Sequence, residues 1–371
     1  MKWVIVALLV IHGAIHSMGF LKAYGIAELP QLRQPISPAK GRLWLAAAVL
    51  VLVTAACLAF APRVGWMVGA AALIVSQAVI VSSWSDAKFG TVANVVLFVA
   101  VVHGFLSQGP SSDRAEYRRL VATELARPPV EAVLTEPDLL RLPAPVAAYV
   151  RASGAVGQPR VSNFRASIRG RIRGGRDARW MAFSGEQFDR FGEGSARLFF
   201  IEASMFGIPI DVLHVFRGPT ASMRATLLSI RRLVDAVGPE MAQGETVTLF
   251  NDLCILAPAA LVDQAIEWEP VDARSVRGVF TRGSNTARAL LSFDASGNLV
   301  DFVSDDRLRA SADGKTFTRQ RWSTPMGSYR TFGGWRVAAK GEARWHAPAP
   351  EGEFAYLEFE LAGITYNVRP R

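Results

Sequence analysis

The sequence predicts two regions of different class: an all-α transmembrane four-helix region, then a β-rich (α+β) domain. The domain is expected to be an antiparallel curved sheet or incompletely closed barrel with one long buried helix. Three observations predict this. Four apolar blocks, residues 3–21, 43–61, 64–81 and 89–106, are each about one bilayer long at roughly 1.5 Å per residue and carry few charges. From residue 139 onward the pattern changes to alternation of period two, in short runs punctuated by Gly and Pro. One stretch, GETVTLFNDLCILA, is apolar around nearly its whole helical circumference, as befits a helix covered on all sides.

The four blocks carry further signs of membrane spans. Trp3, Trp44, Trp66 and Trp84 sit at block ends, where indole rings favour the headgroup boundary. Pro62 and Arg63 leave only a turn between the second and third spans, which makes them an antiparallel hairpin. Gly65 and Gly69 form a small-xxx-small face suited to close helix packing. The first block resembles the start of a signal peptide, but no small-residue cleavage site follows it and three more spans do, so it is expected to be retained.

Charge is divided in the same way. Of 41 Lys and Arg and 32 Asp and Glu, residues 1–110 hold seven and two, leaving 34 and 30 for the remainder. The net charge of +9 therefore comes largely from membrane-flanking residues and does not indicate a nucleic-acid partner. Lys2, Arg63, Arg114, Arg118 and Arg119 lie on one side of the membrane; Lys22, Arg33, Lys40, Arg42 and Lys88 lie on the other. The first loop holds four of the second group, and early charges weigh most in the positive-inside rule. That loop is expected in the cytoplasm and the C-terminal domain outside it. Cys57 lies within a span and Cys254 far downstream, so no disulfide is expected.

Residues 107–138 read as a helical stalk. Ser111 and Asp113 open a charged helix that ends at Pro128 and Pro129, and Thr135 to Asp138 start another helical turn. The β-rich domain then covers residues 139–371, entering through LPAPVAAYVRASG, a short amphipathic helix closed by Gly154. In FRASIRGRIR, Arg165, Arg169, Arg171 and Arg173 alternate with Ala166, Ile168, Gly170 and Ile172. The strand thus has a cationic face, expected to meet anionic headgroups, and a small apolar face with room for an acyl chain behind it. Runs such as ARLFFIEASMF, PIDVLHVF, ARALLSF and FAYLEFELAGITYNV continue the strands, and Asp294 to Gly297 read as a hairpin loop. No run alternates with long helices, which excludes a doubly wound nucleotide-binding sheet.

Asn251 and Asp252 fall among the apolar residues of the buried helix, and a buried carboxylate is costly without a cation or several donors. Arg307, in SDDR, is the expected partner. This network either fixes the helix against the sheet or supplies a general acid or base. His12, His16 and His103 raise the question of haem or metal, but the third histidine is offset by the order of 10 Å in depth. Interhelical hydrogen bonding is the expectation, with no metal and no cofactor. Asp86 and Lys88 are expected to pair in a surface loop. GRIRGG lacks the Lys-Ser or Lys-Thr of a phosphate loop, and GxSxG, HExxH and CxxC are absent.

LPAPVAAYVRASG, GETVTLFND, APAALVD, FVSDDR, RWSTP, GEARWH and ITYNV together resemble a bacterial membrane-anchored family defined only as a domain of unknown function. The resemblance covers most of residues 140–370 and implies residence in the bacterial cytoplasmic membrane, with no catalytic residue to carry over. Its strand order with one long helix is also similar to the lipoprotein-carrier fold, an incompletely closed barrel that shelters acyl chains. That likeness implies a multi-pass membrane protein whose domain binds a lipid or other apolar ligand near the bilayer. A hydrolase-type enzyme on a membrane-associated substrate and a scaffold or partner-binding module are the alternatives. An apolar cavity without convergent titratable groups would favour binding, and one lined by several would favour catalysis.

Overall fold

The computed structural model describes residues 2–370, in two compact units, Met1–Glu116 and Tyr117–Arg371. In the first unit, α1 (Lys2–Ala23), α2 (Pro38–Phe60), α3 (Pro62–Ser82) and α5 (Gly90–Gln108) are long and apolar enough to cross a membrane. A single turn, α4 (Trp84–Ala87), lies between the third and fourth of these. Proline sets two of the starts. Pro38 follows the N-cap Ser37, whose side chain accepts from the Lys40 amide, and Pro62 begins α3 one residue beyond Ala61. Small residues permit the packing: a Cβ on Gly69 would come within 2.7 Å of Val101, and one on Gly19 would overlap the Trp44 ring. Ile74, Phe89 and Val92 face outward. That arrangement is reversed from a soluble bundle and matches a lipid solvent.

The second unit takes in the end of α6 (Asp113–Leu125) and then α7 (Ala144–Ala152). Six strands follow as a meander: β1 (Asn163–Ile172), β2 (Met181–Arg190), β3 (Ala196–Met205), β4 (Ile208–Arg217), β5 (Thr220–Leu227) and β6 (Arg231–Val237). The chain then crosses as α8 (Pro239–Leu256) and a 3-10 turn, Pro258–Asp263. It returns through β7 (Ile266–Asp272), β8 (Ser275–Arg282), β9 (Asn285–Phe293) and β10 (Leu299–Ser304). A small ribbon of β11 (Leu308–Ala310) and β12 (Phe317–Arg319) precedes β13 (Trp322–Ser323), β14 (Met326–Phe332), β15 (Trp335–His346) and β16 (Glu353–Tyr366).

One antiparallel sheet of 14 strands has the order β6-β5-β4-β3-β2-β1-β16-β15-β13-β10-β9-β8-β7, with β14 beside β15. It is not closed. Because α8 touches β5 and β6 near one end of this order, β8 and β9 near the other, and β15 between them, the sheet curls around the helix. Residues Thr246 to Leu256 of α8 are accordingly all buried. This is the helix that GETVTLFNDLCILA predicts.

The outer face is covered too, over β2 to β4. Tyr117, Val121 and Leu125 of α6 pack on Phe188, Leu198, Phe200 and Leu213. With α8 on one side and α6 on the other, β3 is buried on both faces, and for that reason LFFI, residues 198–201, is a continuous apolar run. The segment that reads as a stalk is from Tyr117 onward a covering layer of the sheet. The Asp294 to Gly297 loop is a hairpin connection, with Asp294 Oδ1 accepting from the amides of Ser296 and Asn298.

Candidate functional site

Along α8, Glu245, Thr248 and Asp252 recur at helical spacing and so share one stripe, facing the inner side of β2, β3 and β4. The facing positions are polar as well. On β2, Gln187 and Asp189 have the inward parity of Phe183, and on β3, Arg197 has that of Phe199 and Ile201. Arg197 Nε donates to Asp252 Oδ2 at 2.6 Å and its Nη1 to Glu245 Oε2 at 2.9 Å. Gln187 Nε2 bridges Asp252 Oδ2 at 2.7 Å and Asp189 Oδ2 at 3.0 Å, and His214 Nδ1 on β4 lies 3.3 Å from Glu245 Oε1.

One guanidinium thus pairs with two carboxylates, and a third, Asp189, joins them through Gln187. Burial, reinforced by the charge of Asp252, holds the Asp189 carboxyl well above the usual range, and its Oδ1 meets no partner. Burial also raises Asp252, against the pull of Arg197. Glu245 is pushed up by burial but pulled further down by Arg197 and His214, and it stays ionised. The arrangement locks α8 to the sheet with charge-assisted bonds in a low-dielectric interior.

Arg307 does not fill the role expected of it. Arg197 is the partner of Asp252, because β3 lies against the stripe of α8 whereas the chain before β11 approaches a turn earlier, at Gly244. Arg307 instead stacks over Trp322 and Trp345, 5.7 and 5.9 Å from their centroids, and its Nε is buried without a hydrogen-bond partner. Asn251 is not part of the Arg197 network and donates to Thr324 Oγ1 at 2.6 Å. The signal that could have found Arg197 was its parity: an Arg in register with inward-facing aromatic residues on a strand buried on both faces.

Beside the network lies a cavity of about 100 Å³ between α8 and the sheet. Its walls are mostly apolar, including Ile168, Phe183, Phe199, Ile255 and Phe359, and Arg197, Asn251 and Asp252 are among its polar lining. Phe183 and Phe359 also line an open trough of about 590 Å³ on the surface.

The row Arg165, Arg169, Arg171 and Arg173 is not a bare cationic face. Arg165 meets Glu186 at 3.4 Å, Arg169 meets Glu360 at 3.1 Å, and Arg171 donates to Glu358 at 2.7 Å. Arg173 Nε donates to the Ala355 carbonyl at 2.8 Å. Glu360 and Glu358 of β16 face Arg169 and Arg171 in register, Glu186 of β2 lies diagonally across from Arg165, and Arg173 is held by a backbone carbonyl and the Trp180 ring.

Within the first unit His12 and His16 are tied to α3 and α5. His12 Nε2 lies 3.0 Å from Asn94 Oδ1, His16 Nε2 lies 2.7 Å from Ser76 Oγ, and Ser76 donates to Asn94 at 2.9 Å. His103 follows Asn94 by nine residues on α5, about 14 Å of helix rise, too far to join them. No group of three His, Cys, Asp or Glu suited to a metal occurs among the described residues. Asp86 accepts from the Gln34 amide at 2.8 Å and from Ser85, so the loop pair with Lys88 is replaced by a cap that pins the first loop.

One hydrogen-bonded series was not legible in the sequence: Ser323 Oγ lies 2.8 Å from His346 Nε2, and His346 Nδ1 lies 3.3 Å from Glu353 Oε2. Its order is that of a serine-hydrolase triad. Trp322 faces the cavity, so Ser323 has the outward parity, and at 3% exposure it is covered. The series joins β13, β15 and β16 across the outer face.

Fold and site together define a class: an open antiparallel sheet wrapped around a buried, ion-paired helix, behind four helices apolar enough to cross a membrane. Over residues 132–359 the chain matches a family of unknown function (DUF6544), and it belongs to that family. Among solved structures it is similar to a putative outer membrane lipoprotein-sorting protein domain from Vibrio parahaemolyticus. The identity is 9% over 57% of this chain and 87% of that one, with a TM-score of 0.33. It is also similar to a DUF1329 family protein from Desulfovibrio piger, at 13% identity over 62% of this chain and 94% of that one, with a TM-score of 0.34. No curated protein matches.

Proposed function

We propose that the domain shelters an apolar ligand, the alkyl chain of a lipid, between α8 and the sheet, and that the four apolar helices hold it in the bacterial cytoplasmic membrane. The cavity carries this reading: mostly aromatic and aliphatic walls with a few polar groups suit a molecule with a greasy body and a polar terminus. Its one carboxylate among the lining residues, Asp252, is engaged by Arg197 and Gln187, which leaves it structural. At about 100 Å³ it is smaller than the roughly 300–1,000 Å³ of ordinary ligand sites, so uptake requires widening. The route is past Phe183 and Phe359. Each ring overlies a glycine of the neighbouring strand, Gly170 and Gly341 respectively, where no side chain hinders its rotation.

The test uses the full-length protein in lipid nanodiscs with a photoreactive fatty acid. Crosslinks are expected on peptides holding Phe183, Phe199 and Phe359, displaceable by unlabelled fatty acid and lost in Ala343→Phe and Ile168→Phe, which fill the cavity. Thermal melts establish that the variants fold. Labelling confined to residues 1–116, or unchanged in both folded variants, would refute the reading.

A further inference from the structure

Three consecutive hairpins turn at the same end of the sheet, because β1–β2, β3–β4 and β5–β6 are all antiparallel neighbours. Their tips differ from ordinary turns. At the second, Phe206 and Gly207 have φ of 55° and 78°, and at the third, Leu228 and Ser229 have φ of 54° and 56°. The former is a two-residue mirror-image turn and the latter a three-residue connection, Leu228 to Ile230, that begins with two left-handed residues; such positions favour Asn and Gly, and a bulky Phe or Leu there is disfavoured. Here the disfavoured residues accompany exposed apolar surface. Phe206 is 73% exposed and Ile230 65% exposed, with Ile208 beside them also exposed.

Basic groups flank this apolar edge. Arg179, on the first tip, stacks on Phe206 at 4.6 Å, Arg176 is exposed beside it, and Arg231 and Arg232 follow Ile230. The carboxylates near this end include Asp177 on the first tip, Asp235 paired with Arg232 at 3.2 Å, Asp211 accepting from Ser229 with Glu202 opposite it on β3, and Glu351 paired with Arg309. Among the described residues no carboxylate pairs with Arg179 or Arg231. Apolar tips between unmatched arginines complement one surface in particular, a bilayer with anionic headgroups.

The course of the chain agrees. Within the second unit α6 runs from Tyr117, stacked on Phe200 in mid-strand, to Arg127 beside Gly194 in the β2–β3 turn. That turn is at the far end of the sheet, so the chain enters the domain from the side of the tips. Only residues 109–116 separate Tyr117 from α5, the last of the helices apolar enough to cross a membrane. We infer that the edge formed by Phe206, Ile208 and Ile230 with Arg179, Arg231 and Arg232 docks on the surface of an anionic bilayer. This inference is independent of what the cavity holds.

It is tested on the full-length protein in nanodiscs with and without anionic lipid, carrying a spin label at Phe206→Cys, Ile230→Cys or, as a control in the opposite turn, Gly192→Cys. Relaxation by lipid-soluble oxygen should exceed relaxation by an aqueous nickel chelate at 206 and 230 and not at 192. The excess should fall when Arg179, Arg231 and Arg232 are replaced by Gln. Phe206→Asn, which suits its turn, should melt no lower than the parent yet lose the lipid contact at a label on 230. A water-like ratio at 206 and 230 overturns the inference. Protection from both relaxing agents also overturns it and assigns the edge to a protein partner or a second copy.

Discussion

Asp252 shows how far single residues could be read. That a carboxylate on an all-apolar helix must be buried and matched follows from its neighbours, but which cation matches it depends on how β3 lies over α8, a relation between residues 55 apart. The correction has a measurable consequence. Arg197→Met leaves Glu245 and Asp252 buried without their cation and should cost about 3–5 kcal/mol, whereas Arg307→Met, which removes no ion pair with Asp252, should cost far less. Thermal or denaturant melts of the full-length protein in detergent decide this; equal losses would place Arg307 in the network after all. Asp189 provides a pH-dependent counterpart. Its folded pKa lies above the unfolded value of about 3.9, so its contribution is complete below that value and is lost as pH rises toward the folded one. Each pH unit in that window costs roughly 1.4 kcal/mol per proton. Glu245 has the opposite sign, losing its contribution as pH falls below about 4.3. Above about 3.9 the Asp189 contribution declines as pH rises, and that of Asp252, raised by the same burial, declines with it, so Asp189→Asn should flatten the profile on the alkaline side and raise the melting temperature there. A wild-type profile without that decline, or a mutant that follows it unchanged, would show that Asp189 is ionised in the fold.

At the scale of elements, periodicity was the reliable guide and composition the misleading one. Four apolar blocks became four long helices, and the helix apolar all round is enclosed by the sheet, because each pattern has a single environment that satisfies it. The charged segment DRAEYRRLVATEL reads as a stalk on composition, yet Tyr117, Val121 and Leu125 repeat every fourth residue and form the stripe that covers Phe188, Leu198 and Phe200. Three apolar residues in a polar helix suffice when the surface they meet is itself aromatic. The basic strand shows the converse. Its alternation is real, but the cationic face is matched by Glu186, Glu358 and Glu360 on neighbouring strands, one of them nearly 190 residues away in sequence. Pairing of that range leaves no trace in a local window. The hairpin tips were missed for a related reason: turn chemistry identifies a turn by Gly and Asn, and Phe206 and Leu228 hold positions those residues usually take.

For the whole molecule, β1 beside β16 joins the beginning of the domain to its end, and α8 crosses between the two outermost strands, β6 and β7. This closure in sequence makes the domain one folding unit presented on a short tether. With the four apolar helices as spans, they set which side of the membrane the domain is on. An even number of spans puts both ends of that region on one side. Of the flanking charges, Lys22, Arg33, Lys40 and Arg42 fall in or beside the first loop, where Lys22 meets the Leu32 carbonyl and Asp86 caps Gln34. A loop so fixed keeps its basic residues together near the ends of α1 and α2, where the positive-inside rule weighs them most. The domain should accordingly face away from the cytoplasm. A C-terminal alkaline phosphatase fusion should be active and a C-terminal GFP fusion dark. Exchanging Arg33, Lys40 and Arg42 for Gln should shift part of the population toward the inverse topology. A bright GFP fusion with an inactive phosphatase would instead place the domain, its cavity and its arginine-flanked edge against the inner leaflet.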